Sequence, residues 1–300
     1  MQLTPDVILG TFLGFLAAFM WAISVVVYRS QSDEIRPLAI GSIKMWVAFG
    51  LMVLLVTLPW RPTVYSVPVE SIIYLALSVS LGAVAGDTIL FMSQERIGVS
   101  YAFPIAMSFP VLTYILAILF LDDEISPIRF LGTVIAVVGI ILISREQNGG
   151  QDEDGNSRFD LTGIFMALFT MICYSVGTVL LDLGVTGVDP IDANFVRILI
   201  GSIEFIPIYI LASHVGMPRP TWRATKIVAL AGFFGMALGS VLYVAMVKYI
   251  GAAMGSVVGS TSPLFAVPVS IVILKERPTR LALLGIVIAI LGVILVVGVL

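Results

Sequence analysis

The sequence repeats itself at one fixed interval. Pro37 and Pro190 lie 153 positions apart, and so do Lys44 and Arg197, Gly98 and Gly251, Pro110 and Pro263, Gly132 and Gly285, and Gly139 and Gly292. Glycines and prolines fix backbone geometry, so a repeat that keeps them keeps a fold unit, and 300 residues hold two such units.

Composition says where the units live. Hydrophobic residues make up 59% of the chain and charged residues 12%, against roughly 25% charged in a soluble domain. A hydrocarbon layer of ~30 Å takes about 20 apolar residues per helix. Such stretches are expected at 7–28, 37–59, 70–93, 98–121, 128–144, 159–181, 190–213, 223–248, 252–274 and 280–299. None shows the period-2 alternation of barrel strands, so the expectation is an all-α membrane protein of ten transmembrane helices, five per repeat. The first repeat is 1–144 and the second 159–300. Between them, 145–158 reads REQNGGQDEDGNSR, a hydrophilic linker.

Five is odd, so a direct duplication inverts the second copy across the membrane. Loop charges agree: of the 16 Lys and Arg residues, eleven fall in odd-numbered loops, three in even-numbered loops, and Lys44 and Arg197 lie inside helices. The positive-inside rule then places the odd loops in the cytoplasm and both termini outside. No basic residue precedes Arg29 and no cleavage site is evident, so the first helix is expected to remain in the mature protein.

Several function classes fall away. No basic aromatic patch points to nucleic acid. No Cys/His/Asp cluster has metal-ligand spacing, no glycine-rich phosphate loop follows a strand, and no nucleophile sits with a base at depth, so neither cofactor nor enzyme chemistry is expected. Cys173 is a single apolar-helix thiol and His214 lies at a helix end.

Packing signals are plentiful. Gly251, Gly255 and Gly259 form a ridge of small residues that suits close helix approach, mirrored by Gly98, Ala102 and Ala106. Gly132 and Gly139 match Gly285 and Gly292 on the fifth and tenth spans, where glycines seven apart share a face and suit a tight helix pair. Pro110 and Pro263 are expected mid-helix, each freeing a carbonyl, as kinks or as hinges. Hydroxyls in Met107-Ser108-Phe109 and Ser260-Thr261-Ser262 suit that carbonyl or a solute path.

The paired prolines, the acids Glu124 and Glu276 that follow them, and the glycine-rich helix after each resemble the EamA-like branch of the drug/metabolite transporter superfamily. The resemblance covers the whole chain. It implies a transporter of amino acids, drugs, nucleosides, vitamins, choline or phosphorylated sugars. Related small multidrug transporters couple protons through a glutamate in the first helix, which 15–28 here lacks. Members are drawn with cytoplasmic termini, opposite to the charge count.

An ionisable group at membrane depth costs about 2.5–3.5 kcal/mol on insertion scales and faces a cavity or partner. Lys44, Asp87, Arg197 and Glu204 qualify. At 1.5 Å per residue, Lys44, Asp87 and Glu204 lie roughly 10–12 Å from the cytoplasmic side, and Arg197 about 10 Å from the outer side. Around Arg197 the expected neighbours are Tyr174, Ser240, Tyr243, Ser256 and Asn194, an anion site in type. Asn194, Arg197, Gly201 and Glu204 form one polar stripe at helical spacing. Lys44, Asp87 and Glu204 are read as a counter-charge network able to exchange protons, or else as a static one. Ser260 joins the candidates as a path hydroxyl. Trp21 and Tyr174, at equivalent places in the two repeats, are either interfacial-belt aromatics or stacking platforms on an inner face.

The expected function is secondary active transport of a small polar or amphipathic metabolite by alternating access, an amino acid or organic acid first and export favoured. Phosphate-ester exchange is the alternative, and a receptor or structural protein a further one. Expected partners are a small-molecule solute, the lipid bilayer and protons, not nucleic acid, with the chain a monomer or homodimer, multi-pass in the cell membrane.

Overall fold

The computed structural model describes residues 4–31, 34–58, 67–97, 102, 105–147, 160–273 and 280–298. Helices account for nearly all of them: α1 (Pro5–Arg29), α2 (Pro37–Thr57), α3 (Val69–Val79), α4 (Asp87–Ile97), α5 (Phe109–Phe120) and α6 (Pro127–Gln147) in the first repeat. The second holds α7 (Leu161–Val185), α8 (Pro190–His214), α9 (Trp222–Gly232), α10 (Gly239–Gly259), α11 (Ser262–Ile273) and α12 (Arg280–Val297). Among the described residues there is no strand.

Local sequence sets the helix starts. The repeated prolines Pro37 and Pro190 open α2 and α8, where a missing N–H costs nothing. Asp189 caps α8 through the Ile191 N–H at 2.9 Å, and Asp160 caps α7 through Thr162 at the same distance. Arg96, 3.1 Å from Asp160, ties the end of α4 to the start of α7 and holds that exposed carboxyl below the usual range.

Two π-helical segments were not foreseen. Ser80–Gly86 joins α3 to α4 and Phe233–Leu238 joins α9 to α10, at equivalent places in the two repeats. The repeat keeps Gly82 with Gly235 and Gly86 with Gly239, a signal that reads as packing glycines until the wider turn is seen. A π turn holds one residue more than an α turn and rotates everything after it.

Among the described residues, six helical spans are long and apolar enough to cross a membrane: Pro5–Tyr28, Pro37–Thr57, Val69–Gln94, Leu161–Val185, Pro190–His214 and Trp222–Gly259. Phe109–Phe120, Pro127–Ile143 and Leu283–Val297 are apolar but shorter. The fourth and ninth expected spans are therefore not single rods. Residues 98–101 lie outside the described set, as do Gly98, most of the linker and Glu276.

The prolines explain the breaks, and the mid-helix reading is corrected. Pro110 and Pro263 are the second residues of α5 and α11, after turns at Met107-Ser108 and Ser260-Thr261. In a first turn they remove no intrahelical bond. Ser108, Ser260 and Thr261 hydroxyls donate to the carbonyls of Ile105, Val257 and Val258, closing the preceding helical ends.

A second break lies at Gly251, with φ 72° and ψ 173° inside α10. That conformation is accessible essentially to glycine. After it, the Ala252 N–H donates to Asp182 at 2.7 Å, so a carboxylate from α7 caps the resumed helix. The chain then returns along itself: a Cβ on Gly255 would meet Met246 at 3.2 Å, and one on Gly259 would meet Tyr243 at 2.8 Å. The small-residue ridge thus packs on the helix before it. Gly251→Ala is expected to cost about 1–3 kcal/mol, read as a lower unfolding temperature in detergent.

The repeats interlock by exchange. Gly10 of α1 meets Ile250 of α10 while Gly163 of α7 meets Ile97 of α4, the same contact made twice. Ser24 donates to the Ala231 carbonyl, and Ser78 donates to that of Gly177. Equivalent helices run antiparallel: Gly41 faces Phe205 and Gly201 faces Met45 along α2 and α8, while Gly132 faces Gly292 and Gly139 faces Gly285 along α6 and α12. The two halves are therefore inverted relative to one another, and the glycine pairing expected of the fifth and tenth helices is met.

Candidate functional site

Between the halves lies a cavity of about 280 Å³. Its walls come from α1, α2, the two π-bearing rods, α7, α8, the turn residues Met107 and Ser260, and the first residues of α5 and α11, Phe109 and Ser262. The π turns and the turns before α5 and α11 place backbone irregularity where it faces the cavity rather than lipid, as hydrocarbon requires.

On one wall Lys44 of α2 reaches Asp87, with Nζ 2.7 Å from Oδ2. The other Asp87 oxygen accepts from the Tyr174 hydroxyl at 2.7 Å. Asp87 is the first residue after the π segment Ser80–Gly86, whose extra residue sets the direction of its side chain. Gly86 makes room for Tyr174, since a Cβ there would lie 2.8 Å from the ring. The carboxylate is thus held by one cation and one hydroxyl, both at charge-assisted distances.

The opposite wall is the inverted copy with its carboxylate missing. Arg197 replaces Lys44, and Ser240, two residues beyond the π segment Phe233–Leu238, replaces Asp87. Trp21 replaces Tyr174; its ring leans on Tyr243 at a centroid distance of 5.0 Å and its Nε1 donates to the Gly235 carbonyl at 2.9 Å. Gly239 admits that ring as Gly86 admits Tyr174. Tyr243 and Thr178 share a hydrogen bond of 3.1 Å.

Arg197 is 8% exposed and lines the cavity. Among the described residues it makes no hydrogen bond and no ion pair, and its Nε is buried without a partner. A guanidinium carries five donors and stays charged. Leaving it so is costly unless a mobile anion or water completes it.

Of the residues named from sequence, Trp21, Lys44, Asp87, Tyr174, Arg197, Tyr243 and Ser260 line the cavity. The Trp21 and Tyr174 rings both lie on the cavity side of their helices. Three do not line it. Glu204 stands apart from Lys44 and Asp87: it accepts from Ser80 at 2.5 Å, and its Oε2 is buried without a partner. Equal depth placed it with the pair, but its direction around α8 differs. Asn194 lies behind Ser240, donating to it at 2.9 Å. Ser256 turns its hydroxyl to the Ala253 carbonyl at 2.8 Å. Cavity residues not singled out include Met236 and Gly82, whose positions follow from the π turns.

A family model describing the EamA-like transporter family matches the chain twice, over 8–145 and 161–298. The chain belongs to the EamA-like transporter family. An uncharacterized transporter of Archaeoglobus fulgidus is 23% identical over 285 residues, 94% of this chain and 96% of that protein. Human solute carrier family 35 member G1 is 24% identical over 216 residues, 70% of this chain and 58% of that protein. The uncharacterized inner membrane transporter YhbE of Escherichia coli K12 is 27% identical over 139 residues, 44% of this chain and 42% of that protein. A solved crystal structure aligns over 97% of both chains with a TM-score of 0.76 and 13% identity, which establishes the shared fold. As an EamA-like protein the chain is a multi-pass membrane transporter.

Proposed function

We propose that this EamA-like transporter is a secondary active carrier of a small carboxylate-bearing metabolite, an amino acid or organic acid, by alternating access. The observation that carries the reading is the buried Arg197 in the cavity between the inverted halves, whose Nε finds no partner among the described residues. A single cation with no counter-charge among the described residues suits a single negative charge. The apolar and aromatic remainder of the wall, with Trp21, Tyr243 and Phe109, suits a small amphipathic body.

The Lys44–Asp87–Tyr174 cluster is the second element. It is held within the cavity rather than in lipid, and 24% of the Asp87 side chain is exposed. Proton exchange at Asp87, linked to solute passage, is the proposed coupling. Export across the cell membrane is the favoured direction, and the inner-membrane relative accords with that location. The chain acts as a monomer or homodimer.

Counterflow in proteoliposomes tests the reading. Preloaded unlabelled solute is expected to drive uptake of label for one member of pooled L-amino acids or organic acids, and not for phosphate esters. Phosphate-ester counterflow alone would instead favour the exchanger. Asp87→Asn leaves Lys44 without its ion-pair partner, and breaking such a pair costs about 3–5 kcal/mol when fully buried. At this partly open site, transport is expected to fall about tenfold or more and to lose its pH dependence. A pH profile that persists would remove Asp87 from coupling.

A further inference from the structure

The inverted copies differ most sharply where Asp87 is matched by Ser240. In the first half, a protein carboxylate occupies a seat formed by Lys44 and Tyr174. In the second half the cation of the seat is present again, with Arg197 for Lys44 and Ser240 at the place from which the carboxylate would project, but among the described residues no carboxylate fills it. Ser240 is 3% exposed, its hydroxyl bonded to the Met236 carbonyl and receiving the Asn194 amide. Asn194, fully buried behind Ser240, supports that hydroxyl from outside the cavity.

We propose that the solute's own carboxylate occupies the position inverted-equivalent to the Asp87 side chain, bound by Arg197 beside Ser240, so that the protein's first half is a template for how its second half binds substrate. The inference rests on the carboxylate reading above and specifies its pose. Arg197 matches a monoanion as Lys44 matches Asp87, while the Trp21 N–H and the Ser240 hydroxyl are already given to the Gly235 and Met236 carbonyls. A dianionic phosphate ester would leave one charge uncompensated inside the membrane, where an uncompensated charge is strongly disfavoured. The Trp21–Tyr243 face beside the seat then receives the apolar part of the solute.

The test is to fill the seat from within. Ser240→Asp gives Arg197 an intramolecular carboxylate, and it should act as a permanently bound substrate. Four proteins are compared without any ligand: the parent, Ser240→Asp, Arg197→Gln and the double variant. Ser240→Asp is expected to raise the unfolding temperature in the parent background and to lower it in the Arg197→Gln background, where the new carboxylate is buried without a cation. Counterflow of whichever amino or organic acid the parent carries should fall at least fiftyfold in Ser240→Asp, and less than tenfold in the similar-sized, uncharged Ser240→Asn. An equal shift of unfolding temperature in both backgrounds, or retained counterflow in Ser240→Asp, would overturn the pose.

If Ser240→Asp does not fold, Ser240→Glu brings the carboxylate in from the same position on α10, and the same cycle with Arg197→Gln is read. The two proposals fail separately. A parent that moves neither amino nor organic acids defeats the functional reading while the ligand-free cycle still judges the seat. A parent that moves them, with full counterflow in Ser240→Asp, defeats the seat alone.

Discussion

Arg197→Gln is expected to reduce counterflow of a carboxylate solute by about a hundredfold while leaving the protein folded. Truncating one member of a desolvated charge pair costs about 2–5 kcal/mol, and about 2.7 kcal/mol corresponds to a hundredfold. The unusual part of the expectation concerns stability. Arg197 forms no hydrogen bond or ion pair with another described residue, so no helix contact depends on its charge. A buried cation without a partner raises the free energy of the empty carrier. Removing it should therefore hold or raise the unfolding temperature even as transport is lost. A residue with only a structural role would show the opposite, with stability and transport falling together.

Gly292→Leu is expected to abolish the folded state by prising apart α6 and α12. A Cβ at Gly292 would lie 2.2 Å from the Ala136 nitrogen and 2.6 Å from its Cα, and one at Gly139 would lie 2.3 Å from the Ala289 nitrogen. These neighbours are backbone atoms, which do not yield by rotating a side chain. Overpacking where neighbours can adjust costs typically 1–3 kcal/mol, so the cost here should exceed about 3 kcal/mol. Because lipid gives helices no hydrophobic reason to associate, close backbone packing is most of what joins this pair. The measurement is recovery of monodisperse protein in detergent. Gly50→Leu serves as the comparison, since nothing lies within 4 Å of a Cβ there, and it should be recovered at nearly parental yield.

Much of this architecture is legible in the sequence because the constraints of a bilayer are severe. The fixed offset carried by Pro37, Pro190 and the paired glycines reveals two equivalent halves, and the odd number of spans makes them antiparallel. The facing glycines of α6 and α12 follow from spacing alone. Arg197 and Lys44 stand out because charge at membrane depth is expensive.

The misreadings share a physical cause. Pro110 and Pro263 were expected to bend continuous helices, yet the same residue serves equally well as the opening of a new one, and hydropathy does not distinguish a bent rod from two short ones. Glu204 was grouped with Lys44 and Asp87 because all three lie at one depth. Depth is set by position along a helix, whereas contact needs direction around it, and that direction is altered by the π segments at Ser80–Gly86 and Phe233–Leu238. Local composition there differs between halves, with Ser80 matched by Phe233, so only the retained glycines hinted at a shared irregularity. The Trp21 and Tyr174 rings were ambiguous for a related reason: their helices are apolar all round, and only packing reveals which side faces the cavity.

Sidedness of the cavity tests the central claim most directly. Ser260 sits on the cavity turn, so Ser260→Cys, in a background where buried Cys173 is replaced by alanine, reports access to the chamber. Inverted halves that open by turns predict labelling by a membrane-impermeant thiol reagent from either face of oriented vesicles, with saturating transported solute protecting the cysteine. Labelling from one face only, under all solute and pH conditions, would contradict the account.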